Sequence, residues 1–505
     1  MVMSVRSLGL RGISGYEVRV ECSLSGGLPA FEVVGLPDAA VKESRERVRS
    51  AAKQCGLQFP ASRITVNLAP AATRKEGTLY DLPLFLSVLS ANGQLPALPE
   101  DAAFVGELSL GGELRPVSGM LPMAMAAKRL GIRKLFVPAE NAPEATLAGE
   151  VEIYAVQRVS QLLRHLLGEE LLSPAQPWTA SPSPLPLPDF ADVMGQDTVK
   201  RAMEIAAAGG HNICLVGPPG SGKSMLARRL PSILPEMTRQ EALEATEIWS
   251  IAGLTDHEHP LLLQRPFRSP HHTVSSVALT GGGTIPKPGE ISLAHHGVLF
   301  LDELPEFQKD ALEVLRQPLE DGEVTITRAA GSLHLPSRFM LVAAMNPCRC
   351  GWYGHPSGRC RCNAAAVEKY LSRLSGPLLD RIDLQVEVPS VEFESMRRRQ
   401  PAESSAQIRE RVNRARERQT QRLADSGVVC NAGMGPAQVG AFCRLDSEGE
   451  AVLRAAFLRL GLTARSHDRV LRVARTIADL EGCERISAAH LAEALQYRST
   501  ALLGR

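Results

Sequence analysis

The chain has 505 residues, of which 44% are hydrophobic and 22% charged, and its formal net charge is +1. This composition is typical of a globular protein of two to four domains, and the charge balance excludes a global field that would attract nucleic acid or an anionic membrane. The sequence has no run of about 18 apolar residues and no apolar N-terminal leader, so we expect a cytoplasmic protein without a membrane partner.

The hydrophobic periodicity changes along the chain. Residues 1–172 alternate short strands with helices, and the Pro- and Ser-rich stretch 173–190 indicates an extended linker. Residues 191–390 repeat a strand–loop–helix pattern, and residues 391–505 have an almost entirely helical period. The sequence therefore predicts two α/β domains joined by a linker and followed by a helical domain.

Several elements of the first domain are predicted in chain order. The segments VRVECSL and FEVVGL predict strands, and AAVKESRERVRSAAKQCG predicts a helix that ends at Gly56. ITVNLAP predicts a further strand, and the alternation continues through YDLPLFLSVLSANG, MAMAAKRLG and KLFVP. This pattern is typical of a compact mixed domain.

The strongest functional signal is NICLVGPPGSGKSMLARRL, in which a short apolar strand ends at Val216 and a helix follows a glycine-rich loop. The spacing is that of a P-loop, whose glycines let backbone N–H groups converge on phosphate oxygens at a helix N-terminus. Lys223 is expected to reach the β- and γ-phosphates of ATP, and Ser224 to ligate Mg²⁺. The predicted nucleotide-binding residues are Gly217, Pro218, Pro219, Gly220, Ser221, Gly222, Lys223 and Ser224.

Two further apolar strands end in polar side chains that such a site needs. In HHGVLFLDELPEF we expect Asp302 to hold Mg²⁺ and Glu303 to polarise the attacking water. The following segment, EFQKDALEVLRQPLEDG, predicts one amphipathic helix. In RFMLVAAMNP the strand ends at Asn346, whose amide would orient the water or touch the γ-phosphate; a plain strand-end turn is the alternative.

Four of the ten cysteines lie within CRCGWYGHPSGRCRC. Four thiolates with Gly and Pro between them could close a tetrahedral zinc site, with His355 as a spare ligand. The C-x-C spacing is tighter than usual for zinc, so free thiols and redox-sensitive pairs are alternatives. The predicted ligands of a structural Zn²⁺ are Cys348, Cys350, Cys360 and Cys362.

Together these residues resemble the AAA+ ATPases of the magnesium-chelatase type and, more closely, the competence-protein ComM/YifB family. The resemblance rests on MGQDTVKRAMEIAAAGGHNICLVGPPGSGKSMLARRLPSILP, FRSPHHTVS, HHGVLFLDELPEF, NPCRCGWYGHP and RVLRVARTIADLEG, and it covers essentially the whole chain. It implies a doubly wound P-loop core that uses ATP and Mg²⁺, a helical lid, and a homo-oligomeric ring, expected to be a hexamer.

The resemblance also implies a function. It suggests an ATP-driven DNA motor, a helicase or branch-migration enzyme, that acts on single-stranded and branched DNA. The expected setting is homologous recombination during natural transformation, with recombination proteins as further partners.

Two arginines acquire roles from this resemblance. Arg381 in GPLLDRIDLQVEV would be a finger that completes a neighbouring subunit's site, although an ion pair with Asp380 or Asp383 is the alternative. In the Arg-rich segment LTARSHDRVLRVARTIADLEG, Arg465 is the candidate second sensor and Arg472 the next choice. A solvated basic face is the alternative for this helix.

Two insertions in the core are candidate DNA contacts, since such hairpins project into the ring channel of chelatase-like and replicative-helicase relatives. One is residues 265–297, and the other is GEVTITRAAGSLHLPSRF, a strand with a turn at 329–332 and a return strand. Residues 397–422, with nine Arg and three Glu, indicate either a DNA or partner surface or a solvated helix. The candidate phosphate contacts are Lys287, Arg328 and His334, for which ordinary surface loops are the alternative.

The first domain matches the same family, and its wider likeness is to the Lon-protease domain. VNLAPAATRKEGTLYDLPLFLSVLSANG resembles the segment that carries that protease's Ser, and GELSLGGELRPVSGMLPMAMAAKRLGIRKLFVP the segment that carries its Lys. Leu79 stands at the Ser position and Leu121 at the Lys position, and neither can act in a Ser–Lys dyad. Peptidase activity is therefore not expected. A magnesium-chelatase-type subunit or another AAA+ remodelling ATPase is the alternative function.

Overall fold

The computed structural model describes residues 2–180, 186–283, 287–328, 331–390, 402–460 and 463–498. The chain divides into two compact units. The first comprises Met1–Ser183 with Arg239–Leu262, and the second comprises Pro184–Thr238 with Leu263–Arg505. Among the described helices, none has both the length and the apolar composition needed to cross a membrane.

The first unit contains nine described strands in three sheets. They are β1 (Val2–Arg11), β2 (Ser14–Ser25), β3 (Ala30–Val34), β4 (Arg63–Ala69), β5 (Ala102–Phe104), β6 (Glu107–Leu108), β7 (Leu114–Arg115), β8 (Lys134–Pro138) and β9 (Glu152–Val156). The largest sheet has the order β1-β2-β4-β3, with β3 and β4 parallel and the other pairs antiparallel. A parallel sheet β5-β8-β9 and the antiparallel pair β6-β7 complete the set.

The helices of the first unit cover these sheets. They are α1 (Ala39–Gln54), α2 (Asp81–Ala91), α3 (Met120–Arg129), α4 (Ala142–Ala145), α5 (Val159–Leu166) and, from later in the chain, α8 (Arg239–Ala252). The strands predicted in VRVECSL, FEVVGL and ITVNLAP and the helix before Gly56 are confirmed. The predictions missed β1, which pairs with β2 from Val2↔Ser23 to Arg11↔Ser14.

The first part of the stretch predicted as a linker is tied into the first unit. The Ala175 N–H donates to the Ile153 carbonyl at 2.7 Å, and the Trp178 N–H donates to Thr146 Oγ1 at 3.0 Å. The indole Nε1 of Trp178 donates to the Glu258 carbonyl at 2.9 Å. Residues 173–180 of the stretch therefore belong to the first unit, residues 186–190 belong to the second, and residues 181–185 are not among the described residues.

The second unit is built on a five-stranded parallel sheet with the order β11-β14-β17-β10-β18. Its strands are β10 (Ile213–Val216), β11 (Phe267–Arg268), β14 (Val298–Leu301), β17 (Met340–Met345) and β18 (Leu384–Glu387). All residues of β10, β14 and β17 are buried, as expected for parallel strands covered on both faces. The ends of these three strands therefore meet along one edge of the sheet.

Two small antiparallel pairs interrupt the core. They are β12 (Gly281–Gly282) with β13 (Lys287–Pro288), and β15 (Glu323–Arg328) with β16 (Gly331–Pro336). The second pair confirms the predicted hairpin, whose register runs from Glu323↔Pro336 to Arg328↔Gly331. Residues 284–286 and 329–330 are not among the described residues.

Thirteen described α-helices belong to the second unit. They are α6 (Asp197–Gly209), α7 (Lys223–Arg229), α9 (Ser276–Thr280), α10 (Glu290–Leu293), α11 (Lys309–Glu313), α12 (Pro318–Asp321), α13 (Ala364–Leu371), α14 (Gly376–Leu379), α15 (Ser405–Leu423), α16 (Pro436–Phe442), α17 (Ser447–Leu460), α18 (Ala464–Glu481) and α19 (Ala488–Gln496). The predicted single helix after the acidic pair is wrong. Because Pro318 has no N–H and its ring disfavours a preceding helical turn, the segment breaks into α11 and α12.

The C-terminal helices share one hydrophobic cluster with the sheet. Val412 and Ile477 from the helices belong to the same buried cluster as Val342 from β17. A buried ionic network holds the helices to one another, since Arg422 donates to both carboxylate oxygens of Asp479 at 2.6 and 2.8 Å. Asp479 and a second arginine that bonds it, Arg475, are each at most 2% exposed. Charges buried this deeply are stabilising only when paired, so this network depends on all its members.

Candidate nucleotide site

The phosphate loop connects β10 to α7 at the edge where the parallel strands end. Gly222 has a φ of +89° and immediately precedes Lys223, the first residue of α7. A Cβ at Gly217 would lie 2.3 Å from the carbonyl oxygen of Val388. Both positions require glycine, the first for its left-handed backbone and the second for its lack of a side chain. The loop backbone is thereby shaped to curl around an anion.

The side chain of Lys223 lies inside this loop. It is 8% exposed, and its Nζ donates to the carbonyl oxygens of Gly217 and Pro218 at 2.8 Å and to Asn346 Oδ1 at 3.2 Å. Burial lowers the pKa of Lys223, while Asp302 and Glu303 raise it. The ammonium group donates to neutral oxygens of the loop and of Asn346, and a charged N–H donor of this kind suits a phosphate.

Two oxygen ligands suited to Mg²⁺ meet beside the loop. Ser224 Oγ donates to Asp302 Oδ2 at 2.6 Å, although the two residues belong to different strand–loop segments. Mg²⁺ prefers hydroxyl, carboxylate and water oxygens in an octahedral arrangement. The structure therefore brings together the two residues predicted to bind the metal, and their chemistry fits it.

Glu303 follows in a strained backbone conformation. Its φ is +53°, in the left-handed region, and its N–H donates to Asp302 Oδ1 at 3.0 Å. Its carboxylate is 56% exposed and lies 3.4 Å from His272 Nδ1. Non-glycine residues in this region cost about 1–3 kcal/mol and concentrate at functional sites. The geometry holds the carboxylate at the strand edge, in reach of solvent.

The candidate finger and the candidate second sensor share one carboxylate. Arg381 is 9% exposed, donates to the Pro377 carbonyl at 2.7 Å and pairs with Glu320. Arg465 Nη2 lies 3.5 Å from the other oxygen of Glu320. The partner of Arg381 in its own chain is thus neither of the two aspartates considered from the sequence. Arg472, the other sensor candidate, donates to the Ala432 carbonyl at 2.8 Å.

The candidate DNA contacts lie on the two antiparallel pairs. Lys287 is exposed on β13. The His334 side chain is 59% exposed on β16, 3.2 Å from Thr325 Oγ1 and 3.5 Å from Glu323 Oε1. The side chain of Arg328 lies outside the described part of the structure.

The arginines of α15 are mostly engaged within the second unit. Arg411 bonds both Glu204 and Glu403, and Arg416 donates to the Ala207 carbonyl at 3.1 Å. Arg414 Nη2 lies 3.6 Å from Glu410 Oε1, one helical turn away on the same helix. Residues 397–401 are outside the described residues. Several arginines of the described part of this segment are therefore engaged in packing contacts and surface ion pairs, and the DNA or partner surface stays a prediction.

The four clustered cysteines converge, whereas the proposed spare ligand does not join them. The sulfur atoms of Cys348, Cys350, Cys360 and Cys362 all lie within 4.8 Å of one another. The two ring nitrogens of His355 are engaged with Ser357 Oγ at 2.8 Å and Ser390 Oγ at 3.0 Å. His355 is thus occupied outside the cluster.

Three residues that the sequence predictions left out lie at this site. Gln196 donates through Nε2 to the Ser221 carbonyl at 2.7 Å, His272 faces Glu303, and Glu320 holds both arginines. Gln196 and His272 occur in MGQDTVK and FRSPHHTVS, motifs that carried the resemblance. Glu320 gives no local signal, because only the fold brings it to Arg381.

The first unit has apolar side chains at both positions of the protease dyad. Leu79 is 9% exposed and Leu121 is fully buried. The Leu121 N–H donates to Glu144 Oε1 at 2.9 Å. These leucines pack as core residues and offer neither a nucleophile nor a base.

The parallel sheet, its phosphate loop and the polar residues at the ends of β14 and β17 define a P-loop ATPase of the AAA+ class. Three family models match in succession. They are subunit ChlI of magnesium chelatase over residues 20–141, magnesium chelatase subunit ChlI over residues 189–396, and its C-terminal part over residues 402–498.

Full-length relatives narrow this assignment. The chain is 45% identical over 501 residues to competence protein ComM of Haemophilus influenzae, which covers 98% of this chain and 97% of the relative. It is 44% identical over 490 residues to the uncharacterized protein YifB of Escherichia coli, covering 97% and 95%. The chain therefore belongs to the ComM/YifB family of magnesium-chelatase-like AAA+ ATPases. A partial match to the Lon protease of Brucella suis, 28% identical over 203 residues, covers 38% of this chain and 25% of the protease.

Proposed function

We propose that this protein is an ATP-driven DNA motor that moves branched DNA during homologous recombination. The observation that carries the proposal is the site formed by Lys223, Ser224, Asp302 and Asn346, in one unit with two antiparallel pairs that expose Lys287 and His334. The name of the Haemophilus relative supports natural transformation as the setting. We further propose a cytoplasmic hexamer that binds single-stranded and branched DNA, with recombination proteins as partners.

ATP and Mg²⁺ are the cofactors that this site suits. The phosphate-loop N–H groups and Lys223 would hold the phosphates, and Ser224 with Asp302 would hold Mg²⁺, which neutralises charge on the transferring phosphoryl group. Glu303 would accept the proton of the attacking water, and Asn346 would help to orient it. We propose a structural Zn²⁺ at the four clustered cysteines as a third cofactor.

Arg381 acts in this proposal on the ATP of a neighbouring subunit. In its own chain the guanidinium forms an ion pair with Glu320. Glu320 also lies near Arg465 and just before the β15–β16 hairpin. A neighbour's γ-phosphate would compete with Glu320 for the finger. A finger in trans contributes roughly 10³–10⁵ in rate.

We expect Arg381→Ala to lose ATP hydrolysis while retaining ATP binding, because its own phosphate loop is intact. Mixing it with Lys223→Ala protein should restore part of the activity. In a mixed ring, Arg381 of a Lys223→Ala subunit can complete the site of a neighbouring Arg381→Ala subunit, whose phosphate loop is intact. The measurement is steady-state hydrolysis across mixing ratios. A control mixture with the double variant Lys223→Ala/Arg381→Ala should restore nothing. A rate that does not change on mixing with Lys223→Ala would argue against action in trans.

The DNA motor is tested with a three-strand branch-migration assay. We expect strand exchange with ATP and none with a non-hydrolysable analogue, together with DNA-stimulated hydrolysis. The double variant Lys287→Ala/His334→Ala should weaken DNA binding and flatten its salt dependence, because each lost phosphate contact lowers the salt slope by about one. Lys309→Ala, an exposed lysine on α11, is the matched control. The absence of both DNA stimulation and branch migration would refute the proposal.

A chelatase-type subunit is the competing function, because all three family models describe subunit ChlI. That function predicts ATP-dependent metal insertion into a porphyrin with partner subunits and no response to DNA. Another remodelling ATPase or a protease would act on protein, and Leu79 and Leu121 oppose proteolysis. Casein degradation that Lys223→Ala abolishes would contradict this reading of the first unit.

A further inference from the structure

The loop between β17 and α13 carries four cysteines in the described stretch 346–363, which has no helix or strand. Cys348 Sγ lies 3.3 Å from Cys350 Sγ and 3.9 Å from Cys360 Sγ, and the latter two sulfurs are 3.6 Å apart. A tetrahedral zinc site with Zn–S bonds of about 2.3 Å requires sulfur separations of roughly 3.8 Å. A disulfide would require about 2.0 Å. The distances match a shared metal and not a covalent pair.

The surroundings of the sulfurs also suit a metal–thiolate centre. Cys348 is fully buried, and the other three cysteines are partly exposed. Four thiolates around Zn²⁺ leave a net charge of −2, which the loop's arginines can offset. One of these arginines, Arg359, stacks over Trp352 at 5.0 Å from the ring centre.

The same loop presses against the phosphate loop. Gly351 has a φ of +83°, and a Cβ there would lie 2.4 Å from Pro219 Cδ and 2.6 Å from its Cγ. The Gly351 N–H donates to the Cys348 carbonyl at 2.9 Å, which ties this contact to the first cysteine. The first residue of the loop is Asn346, whose Oδ1 accepts a hydrogen bond from Lys223 Nζ. The cysteine loop thus touches the nucleotide site at two points.

We infer that Zn²⁺ bound by the four cysteines is a brace for the phosphate loop, and that its loss weakens nucleotide binding. A loop without helix or strand has little else to hold its turns, so metal ligation supplies the order that packing does not. The brace would keep Gly351 against Pro219 and Asn346 beside Lys223. The effect of zinc on nucleotide binding rests on the proposed ATP site, whereas zinc binding by the four cysteines does not.

The first experiment measures zinc in the purified full-length chain by elemental analysis. We expect about one zinc per chain, as for structural sites with four thiolates, and intense visible absorption after Co²⁺ exchange, the signature of tetrahedral thiolate ligation. Cys360→Ser/Cys362→Ser should lose the metal. Cys55→Ser, a half-buried cysteine of the first unit, is the matched control and should keep it. If wild-type protein expressed with ample zinc contains no zinc after purification, the proposed site is wrong.

The second experiment measures ATP affinity in zinc-loaded, chelator-stripped and zinc-restored wild-type protein, without DNA. We expect stripping to weaken ATP binding by about tenfold or more, equivalent to about 1.4 kcal/mol of binding free energy or more, and restoration to recover it. Using folded wild-type protein avoids dependence on the cysteine variant's folding. Unchanged affinity after stripping would overturn the brace and leave the zinc site standing. Zinc-loaded protein that binds no ATP would instead refute the proposed ATPase.

Discussion

Replacing Lys223 with Ala is expected to abolish ATP binding at micromolar concentrations and, with it, hydrolysis. The Lys223 ammonium lies inside the phosphate loop, where it donates to Gly217 and Pro218 carbonyls and to Asn346. A hydrogen bond to a charged group contributes about 1.5–3 kcal/mol, so the loss of two bonds to phosphate weakens binding by roughly 10²–10⁴-fold. The measurement is the dissociation constant of a fluorescent ATP analogue.

Two controls separate this effect from a loss of folding. The substitution leaves loop carbonyls without their donor, so thermal unfolding of Lys223→Ala is measured beside binding. Lys309→Ala removes an exposed lysine from α11 and should bind ATP like the wild type. Folded Lys223→Ala protein with nearly wild-type affinity would show that this loop is not the phosphate site.

Glu303→Gln is expected to retain ATP binding and lose turnover. The amide preserves the size of the side chain, and the hydrogen bond from the backbone N–H of residue 303 to Asp302 Oδ1 stays intact. The amide cannot, however, accept a proton from water. General-base catalysis contributes about 10²–10⁴-fold in rate, and we expect a loss in this range in steady-state hydrolysis. Binding of the nucleotide should stay near the wild-type value, because Lys223, Ser224 and Asp302 are unchanged.

The neighbouring carboxylate offers a matched control for this prediction. Glu306 lies in the same turn and pairs with Arg373 at 2.9 Å, so Glu306→Gln removes a charge of the same kind from the same surface. We expect Glu306→Gln to hydrolyse ATP at close to the wild-type rate. Equal losses in the two variants, or an undiminished rate in Glu303→Gln, would remove Glu303 from the role of base.

Local signals predicted much of the second unit. The buried strands β10, β14 and β17, the phosphate loop and the β15–β16 hairpin were predicted from apolar runs, glycine spacing and alternation. Each of these features is encoded within a few consecutive residues, where backbone preference and burial act together. The single helix predicted after the acidic pair is too long, because the apolar periodicity continues through Pro318 whereas the backbone cannot.

The sequence by itself determined which chemistry is present: a phosphate loop, an acidic pair, a strand-end amide and four clustered thiols. Only the tertiary structure decided which of these groups meet. Lys223 reaches Asn346 across 123 positions of the chain, Arg381 meets Glu320 across 61, and the cysteine loop contacts Pro219. The physical reason is the order β11-β14-β17-β10-β18, which no local pattern encodes and which brings the ends of distant parallel strands to one edge.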